Sequence, residues 1–267
     1  MSSDDSRREF LSIIFPCYNE SILIENSLSK LASFLDAMQI SYEIIFIDDF
    51  SRDDSVNIIK NLQRKNQKIK LLRNPCNMGK GFTIKNGVLN CNGEYIIFTD
   101  IDMVYSLKNI KTVLEYLQKN NDIVVGNRRL QDSIYTVPNS LIKYVYKRHM
   151  VGIIFNTIVR YMFGLNVRDT QSGLKGFNRE TALAIFPNIN TNRFVFDIEI
   201  FILAKNLKKS IKEIPVHLTY FSQLSSVRIF KYSLRALREI LAIKFYQIRG
   251  KYSKNIHIFE DSIHIYN

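Results

Sequence analysis

Cysteine is scarce in this chain of 267 residues: Cys17, Cys76 and Cys91 form neither a CxxC pair nor an even set. That argues against a disulfide framework and fits a reducing compartment. Long apolar runs are missing too, and no stretch approaches the roughly 18 apolar residues that a membrane-spanning helix requires. The start, "MSSDDSRREF", is polar and acidic, so no signal peptide is expected. Repeats, low-complexity tracts and Pro/Gly/Ser linkers are absent. One domain over residues 10–250 with a tail at 251–267 is expected. Acidic residues are the remaining shortage: 25 Asp and Glu against 37 Lys and Arg give a formal net charge of +12. Such an excess calls for anionic partners, whether nucleotide phosphates, nucleic acid or an anionic lipid surface. The expectation is a cytoplasmic protein, soluble or lying on the cytoplasmic face of a membrane.

What the chain does have is an ordinary hydrophobic content of 46%, arranged in short runs. "LSIIFP" (11–16), "YEIIFI" (42–47), "IKLLR" (69–73), "EYIIFT" (94–99) and "DIVVG" (122–126) read as strands. Their near-continuous hydrophobicity implies cover on both faces. Helical patterns lie between them at about 20–38, 53–66, 80–91 and 107–120. This alternation predicts an α/β fold, a mostly parallel central sheet flanked by helices and joined by right-handed crossovers. An amphipathic stretch at about 140–163 follows, then a strand within "RDTQSGLKGFN" and a helix containing "FDIEIFILAKNL". A strand in "SIKEIPVHL" and a basic amphipathic helix from "RIFKYSL" onward complete the pattern. Such sheets bind ligands just beyond the carboxyl ends of their strands.

Four successive strand ends carry polar groups. "FPCYNE" supplies Pro16, Tyr18, Asn19 and Glu20, and "IDDFSRDD" supplies Asp48, Asp49 and Ser51. "NPCNMGKGF" supplies Gly79 and Lys80, and "IIFTDIDMVYS" supplies Asp100 and Asp102 around Ile101. Alternate residues of an extended chain share a face, so the two aspartates are expected to point the same way. Two like charges so held call for a cation or a proton. Any one group also reads as helix capping; four in succession do not. "GKGF" is no P-loop, because Phe82 stands where Ser or Thr is required. Nor is it a dinucleotide fingerprint, because Ile84 takes the third glycine position. It reads as a tight turn that lets backbone approach a ligand, with Lys80 available to an anion.

The ordered set PxYNE, DDxS, NxGKG, DxD, "RDTQSGLKGF" and "FDIEI" resembles the family 2 glycosyltransferases of the GT-A fold. Within them it is similar to the polyprenyl-phosphate hexosyltransferases, over about residues 10–249. The resemblance implies inverting transfer of a hexose such as glucose from UDP- or GDP-hexose to a dolichyl or undecaprenyl phosphate. It implies that Asp100 and Asp102 hold Mg²⁺ or Mn²⁺, the hard cations that carboxylate oxygens prefer. Pro16, Tyr18, Asn19 and Glu20 would line the base and ribose, with Asp49 accepting from the base. Asp48, Ser51, Gly79, Lys80 and Ile101 fall on the same donor side. Arg128 of "GNRR" would lie near the phosphates, while Arg129 reads as a solvated charge. Asp169, Gln171, Ser172, Gly173 and Lys175 would line the acceptor and sugar side. Asp197 would orient the acceptor or act as base, beside its plainer reading as a first-turn acid. Two positions depart from the family pattern: Val104 replaces a polar residue, and Val227 replaces a lysine, with Arg228 one place later as its candidate substitute.

The acceptor decides how much base catalysis is needed. A sugar hydroxyl must lose its proton during attack, whereas a lipid phosphate is already an anion at neutral pH. His149, His217, His257 and His264 lie outside every motif and read as surface or structural residues, which favours the phosphate. Lys143, Lys147 and Arg148 beside "VGIIFNTIVRYMFGL", with Lys231, Arg235, Arg238, Lys244 and Arg249 later, suit a peripheral membrane surface. The alternative is transfer to a saccharide hydroxyl in surface-polysaccharide or glycan assembly. Nucleic-acid binding is set aside, since no reading motif occurs and the aspartate pair would go unexplained. The sequence carries no signal for oligomeric state.

Overall fold

A computed structural model describes residues 10–220 and 229–254. Seven strands build the main sheet: β1 (Leu11–Cys17), β2 (Tyr42–Asp48), β3 (Ile69–Arg73), β4 (Tyr95–Phe98), β5 (Ile123–Asn127), β7 (Lys175–Asn178) and β8 (Ile211–Pro215). Their order is β3-β2-β1-β4-β7-β5-β8. Neighbours are parallel except around β7, which runs against both β4 and β5. The remaining two strands, β6 (Ile134–Thr136) and β9 (His217–Thr219), pair in parallel as a small separate sheet.

Helices α1 (Ser21–Ala37), α2 (Ser55–Lys65), α3 (Lys80–Leu89) and α4 (Leu107–Leu117) are the crossovers of the first half. The second half adds α5 (Ile142–Phe163), α6 (Arg179–Ile185), α7 (Phe196–Asn206), α8 (Ile229–Ile248) and α9 (Lys251–Lys254). The pleat sorts strand residues between two apolar layers. Ile13, Phe15, Ile44, Phe46 and Ile97 pack with α1, α2 and α4. Ile14, Ile45, Ile47, Ile96 and Phe98 pack with α3, α6, α7 and α8 on the other face. Both faces are therefore covered, which is why the strands read as continuous apolar runs.

Two elements went unread in the sequence, and both are short: β6 has three residues and α6 seven, too few for a period to register. The one strand expected in "SIKEIPVHL" is two, β8 and β9, divided at Val216. Residues 251–254, expected in the tail, form α9, and Tyr252 is only 2% exposed against the core. Because β7 runs backwards, its first residue Lys175 arrives at the rim where β1, β2, β4 and β5 end. Val125 pairs with Lys175, and the Gly126 amide donates to the Leu174 carbonyl at 3.0 Å. The chain thus leaves the sheet at the end of β5 and re-enters beside it.

Candidate active site

Strand β4 stops at Phe98, so Asp100 and Asp102 sit in a turn rather than on a pleated strand. The Met103 amide closes that turn on the Asp100 carbonyl at 3.2 Å, and Met103 takes the left-handed conformation at φ 49°. The carboxylates nevertheless share one region. Burial, then the neighbouring Asp100 charge, raises the Asp102 pKa to about 6. Glu20, just before α1, is raised to about 7 by burial and then by Asp102, Asp100 and Asp53. Among the described residues one cation pairs with this acidic group directly: the Lys80 ammonium on Asp100. Burial opposes the Lys80 charge, but Asp100, helped by Asp197 and Asp102, more than offsets it, and the lysine pKa is raised.

The loops after β1, β2 and β3 are laced together by the motif residues themselves. Asn19 is left-handed at φ 56°; its amide donates to Ser51 Oγ at 2.9 Å, and its Oδ1 accepts the Arg52 amide at 2.8 Å. Asp48 is fully buried and accepts from the Ser51 amide and from Arg73 Nε. Asp49 was expected to meet the base, but it is 5% exposed and engaged by the chain. Its oxygens accept Asn74 Nδ2, the Met78 amide and the Gly79 amide, each at 2.8 Å. A carboxylate with three chain donors is a loop anchor. It fixes the turn in which Gly79, at φ 99°, presents Lys80. Pro16 and Tyr18 lie at the end of β1, with Tyr18 43% exposed, while Ile101 is buried and its carbonyl accepts Ser27 Oγ at 2.7 Å.

At the end of β5, Arg128 makes a bidentate pair with Asp169, Nε to Oδ2 and Nη2 to Oδ1 both at 2.8 Å. Its Nη2 also donates to the Gln171 carbonyl at 3.0 Å. Asp169 was expected beside the acceptor; it is instead the fully buried counter-ion of Arg128. Burial would raise its pKa, but the guanidinium holds it down at about 2. Ser172 and Lys175, expected on the same side, are likewise engaged within the protein. Ser172 Oγ meets the Tyr105 hydroxyl at 3.1 Å inside the protein, and Lys175 is fully buried on Asp197 at 2.7 Å and on the Ser172 carbonyl. Asp197 is thus a buried ion-pair partner, 7% exposed, rather than a carboxylate facing open space. Gly173 is explained by close approach: a Cβ there would lie 2.5 Å from Asp100 Oδ2. Gln171 Nε2 is buried without a hydrogen-bond partner among the described residues, an exception among buried donors.

Beyond Arg128 opens a cleft of about 40 Å³, lined by Arg128, Arg129, Tyr135, Arg148, His149 and Tyr220. That is room for more than one water-sized group. Arg129 is not a solvated charge: it is half-buried and donates to the Arg168 carbonyl at 2.7 Å and the Gly152 carbonyl at 2.6 Å. His149 lines the cleft although it belongs to no motif. Burial, then Arg129 and Arg128, lowers its pKa, so it is neutral at pH 7. Arg148 is near enough to lower the Asp102 pKa, which joins cleft and carboxylates in one field. Arg228 lies outside the described residues.

The carboxylate pair has the chemistry of a divalent-ion site. Asp102 carries negative charge that no described cation pairs directly, and hard oxygen donors suit Mg²⁺ or Mn²⁺. No group of three or more His, Cys, Asp or Glu forms a ready cage among the described residues. Two protein carboxylates would leave the remaining positions to substrate and water.

Sheet order, the reversed β7 and the rim of carboxylates define a GT-A glycosyltransferase fold. A solved structure of glucosyl-3-phosphoglycerate synthase from Mycobacterium tuberculosis in complex with UDP aligns with TM-score 0.62 and 15% identity, covering 89% of this chain and 80% of that one. The same synthase has been solved with Mn²⁺, UDP-glucose and phosphoglyceric acid, at TM-score 0.61 and 14% identity, with 88% and 79% coverage. The model of glycosyl transferase family 2 matches residues 12–186. Dolichyl-phosphate beta-glucosyltransferase of Dictyostelium discoideum is 33% identical over 253 residues, 90% of this chain and 76% of that protein. Its Saccharomyces cerevisiae counterpart is 28% identical over 270 residues, 94% and 79% respectively. The chain belongs to glycosyl transferase family 2 and is a glycosyltransferase.

Proposed function

We propose that the protein transfers a hexose, glucose by analogy with its dolichyl-phosphate relatives, from a nucleoside diphosphate sugar to a polyprenyl phosphate. The observation that carries this reading is the arginine-lined cleft adjoining the acidic rim. An acidic donor site and a cationic acceptor site, side by side, suit a reaction between two phosphorylated substrates.

In the proposed reaction a phosphate oxygen of the acceptor attacks the anomeric carbon as the bond to the diphosphate breaks, inverting configuration. No proton has to leave the attacking oxygen, because the monoester is already ionised near neutral pH. This agrees with Asp197 being held by Lys175, where it is poorly placed as a base. On the donor side, Tyr18 and Asn19 would contact the nucleoside, Glu20 the ribose, and Lys80 the diphosphate. The unpartnered Gln171 amide would donate to the sugar or its phosphate. Asp100 and Asp102 would hold Mg²⁺ or Mn²⁺, which supplies neutralisation of the charge developing on the leaving diphosphate. On the acceptor side, Arg128 and its neighbours would hold the lipid phosphate.

A lipid acceptor requires the protein to reach a membrane surface. No helix among the described residues is long and apolar enough to cross a bilayer. α5 exposes Tyr146, Met150, Val151, Ile154, Ile158 and Tyr161 along one side, beside Lys143 and Lys147. We assign this face to peripheral contact with anionic lipid. The test is incubation with radiolabelled UDP-glucose and GDP-sugars in the presence of dolichyl phosphate, undecaprenyl phosphate or free saccharides. Label is expected in the organic phase with a polyprenyl phosphate; transfer to saccharide alone would overturn the reading.

A further inference from the structure

Glu199 is fully buried and plays no part in the chemistry above. Its carboxylate gathers one short segment: it accepts the Thr191 amide at 2.7 Å, the Asn190 amide at 3.1 Å and the Thr191 hydroxyl. From the opposite side the Tyr252 hydroxyl donates to Glu199 Oε1 at 2.6 Å. Tyr252 stands on α9, which is tied down again where Asn206 Nδ2 donates to the Tyr252 carbonyl at 3.1 Å. Burial, then Glu199, raises the tyrosine pKa, so the hydroxyl remains a donor.

The gathered segment lies on the turn that carries Lys80. The Asn192 carbonyl accepts the Phe82 amide at 3.0 Å. A Cβ at residue 79 would meet that carbonyl at 2.7 Å and the Arg193 side chain at 2.8 Å. At residue 81 it would meet the Thr191 and Arg193 carbonyls at 2.8 and 2.9 Å. Gly81 is therefore in contact with Thr191, which Glu199 holds, and Gly79 with the two residues that follow Thr191. Lys85 fastens the preceding residues to α3 by donating to the Pro187 and Ile189 carbonyls at 2.9 and 3.0 Å.

We propose that Glu199 and Tyr252 are positioning residues for the donor site: through residues 190–193 they set the turn that presents Lys80 to Asp100. Helix α9, far along the chain from every strand-end motif, thereby becomes part of donor recognition. The proposal rests on the donor reading above for its effect on catalysis, but not for the mechanical link itself.

Tyr252→Phe in the full chain removes one hydroxyl and keeps the ring, with Glu199→Gln as the second variant. Amide hydrogen exchange without ligand is expected to speed at least threefold at residues 190–193 and at 79–83, with 42–48 unchanged. In kinetics, the KM for the nucleotide sugar is expected to rise threefold or more, with kcat and the acceptor KM within twofold. A purely structural role would lower thermal stability without that split. Faster exchange confined to 190–193, or an unchanged donor KM, would overturn the proposal. If the wild type turned over no nucleotide sugar, the functional reading would fall while the exchange pattern still decided the link.

Discussion

Arg128 and Asp169 illustrate how much a charged residue's role depends on its partner. Asp169 is fully buried and its pKa is lowered from 3.8 to about 2. A depressed carboxylate pKa stabilises the fold above the unfolded value and loses that contribution as pH falls through the folded one. The shift corresponds to about 2 kcal/mol, present above about pH 4 and gone near pH 2. Asp169→Asn leaves Arg128 unpaired and should cost about 3 kcal/mol at pH 7. Urea unfolding of both proteins across pH 2–7 should show their midpoints converging in acid. Asp102→Asn should behave otherwise: it removes a charge that burial already disfavours, so stability should hold or rise slightly. Turnover should fall at least about a hundredfold, roughly 3 kcal/mol of lost transition-state stabilisation. A variant with half the wild-type turnover would remove Asp102 from the mechanism.

Elements explain what could and could not be read from the sequence. The strands of the first half were legible because each is buried on both faces and hence continuously apolar. Their parallel order put Tyr18, Lys80 and Asp100 on one rim, and the motifs there were visible as polar breaks after apolar runs. Partners were not legible. Nothing in "RDTQSGLKGF" or "FDIEI" reveals that Asp169 lies under Arg128 or that Lys175 lies under Asp197, since those contacts cross between elements. His149 was missed because its place comes from α5 packing over the end of β5. That helix has two different sides. Arg148, His149 and Gly152 line the cleft, whereas Ile154 and Ile158 are 59% and 53% exposed. Replacing both isoleucines by aspartate should change stability by less than about 0.5 kcal/mol per site, as at other exposed positions. Co-sedimentation with phosphatidylcholine–phosphatidylserine vesicles should fall by about tenfold or more. Equal binding by wild type and variant would remove α5 from the membrane contact.

Across the whole molecule, 37 basic side chains outnumber 25 acidic ones, whereas the rim around Glu20, Asp100 and Asp102 is locally acidic. Under the proposed function, bulk charge would draw anionic substrates in, while the acidic rim would call for a cation before a diphosphate could settle. A ligand at a hundred times its Kd stabilises a protein by about 2.7 kcal/mol. For a chain of this size that raises Tm by about 5 °C. UDP or GDP with Mn²⁺ should produce a shift of this order, and the nucleotide with chelator a much smaller one. A shift indifferent to the metal would separate donor binding from the aspartate pair.

The return of the chain beside its point of departure, with Gly126 bonded to Leu174, has a consequence for how such a protein diversifies. Everything between those two residues is an excursion whose ends are already neighbours. Changes in its length leave the register of the seven-stranded sheet up to Gly126 untouched; the strand that it carries is β6, paired with β9. Under the proposed function, specificity for the group receiving the sugar would be free to drift, while the half assigned to the nucleotide would stay fixed by the sheet.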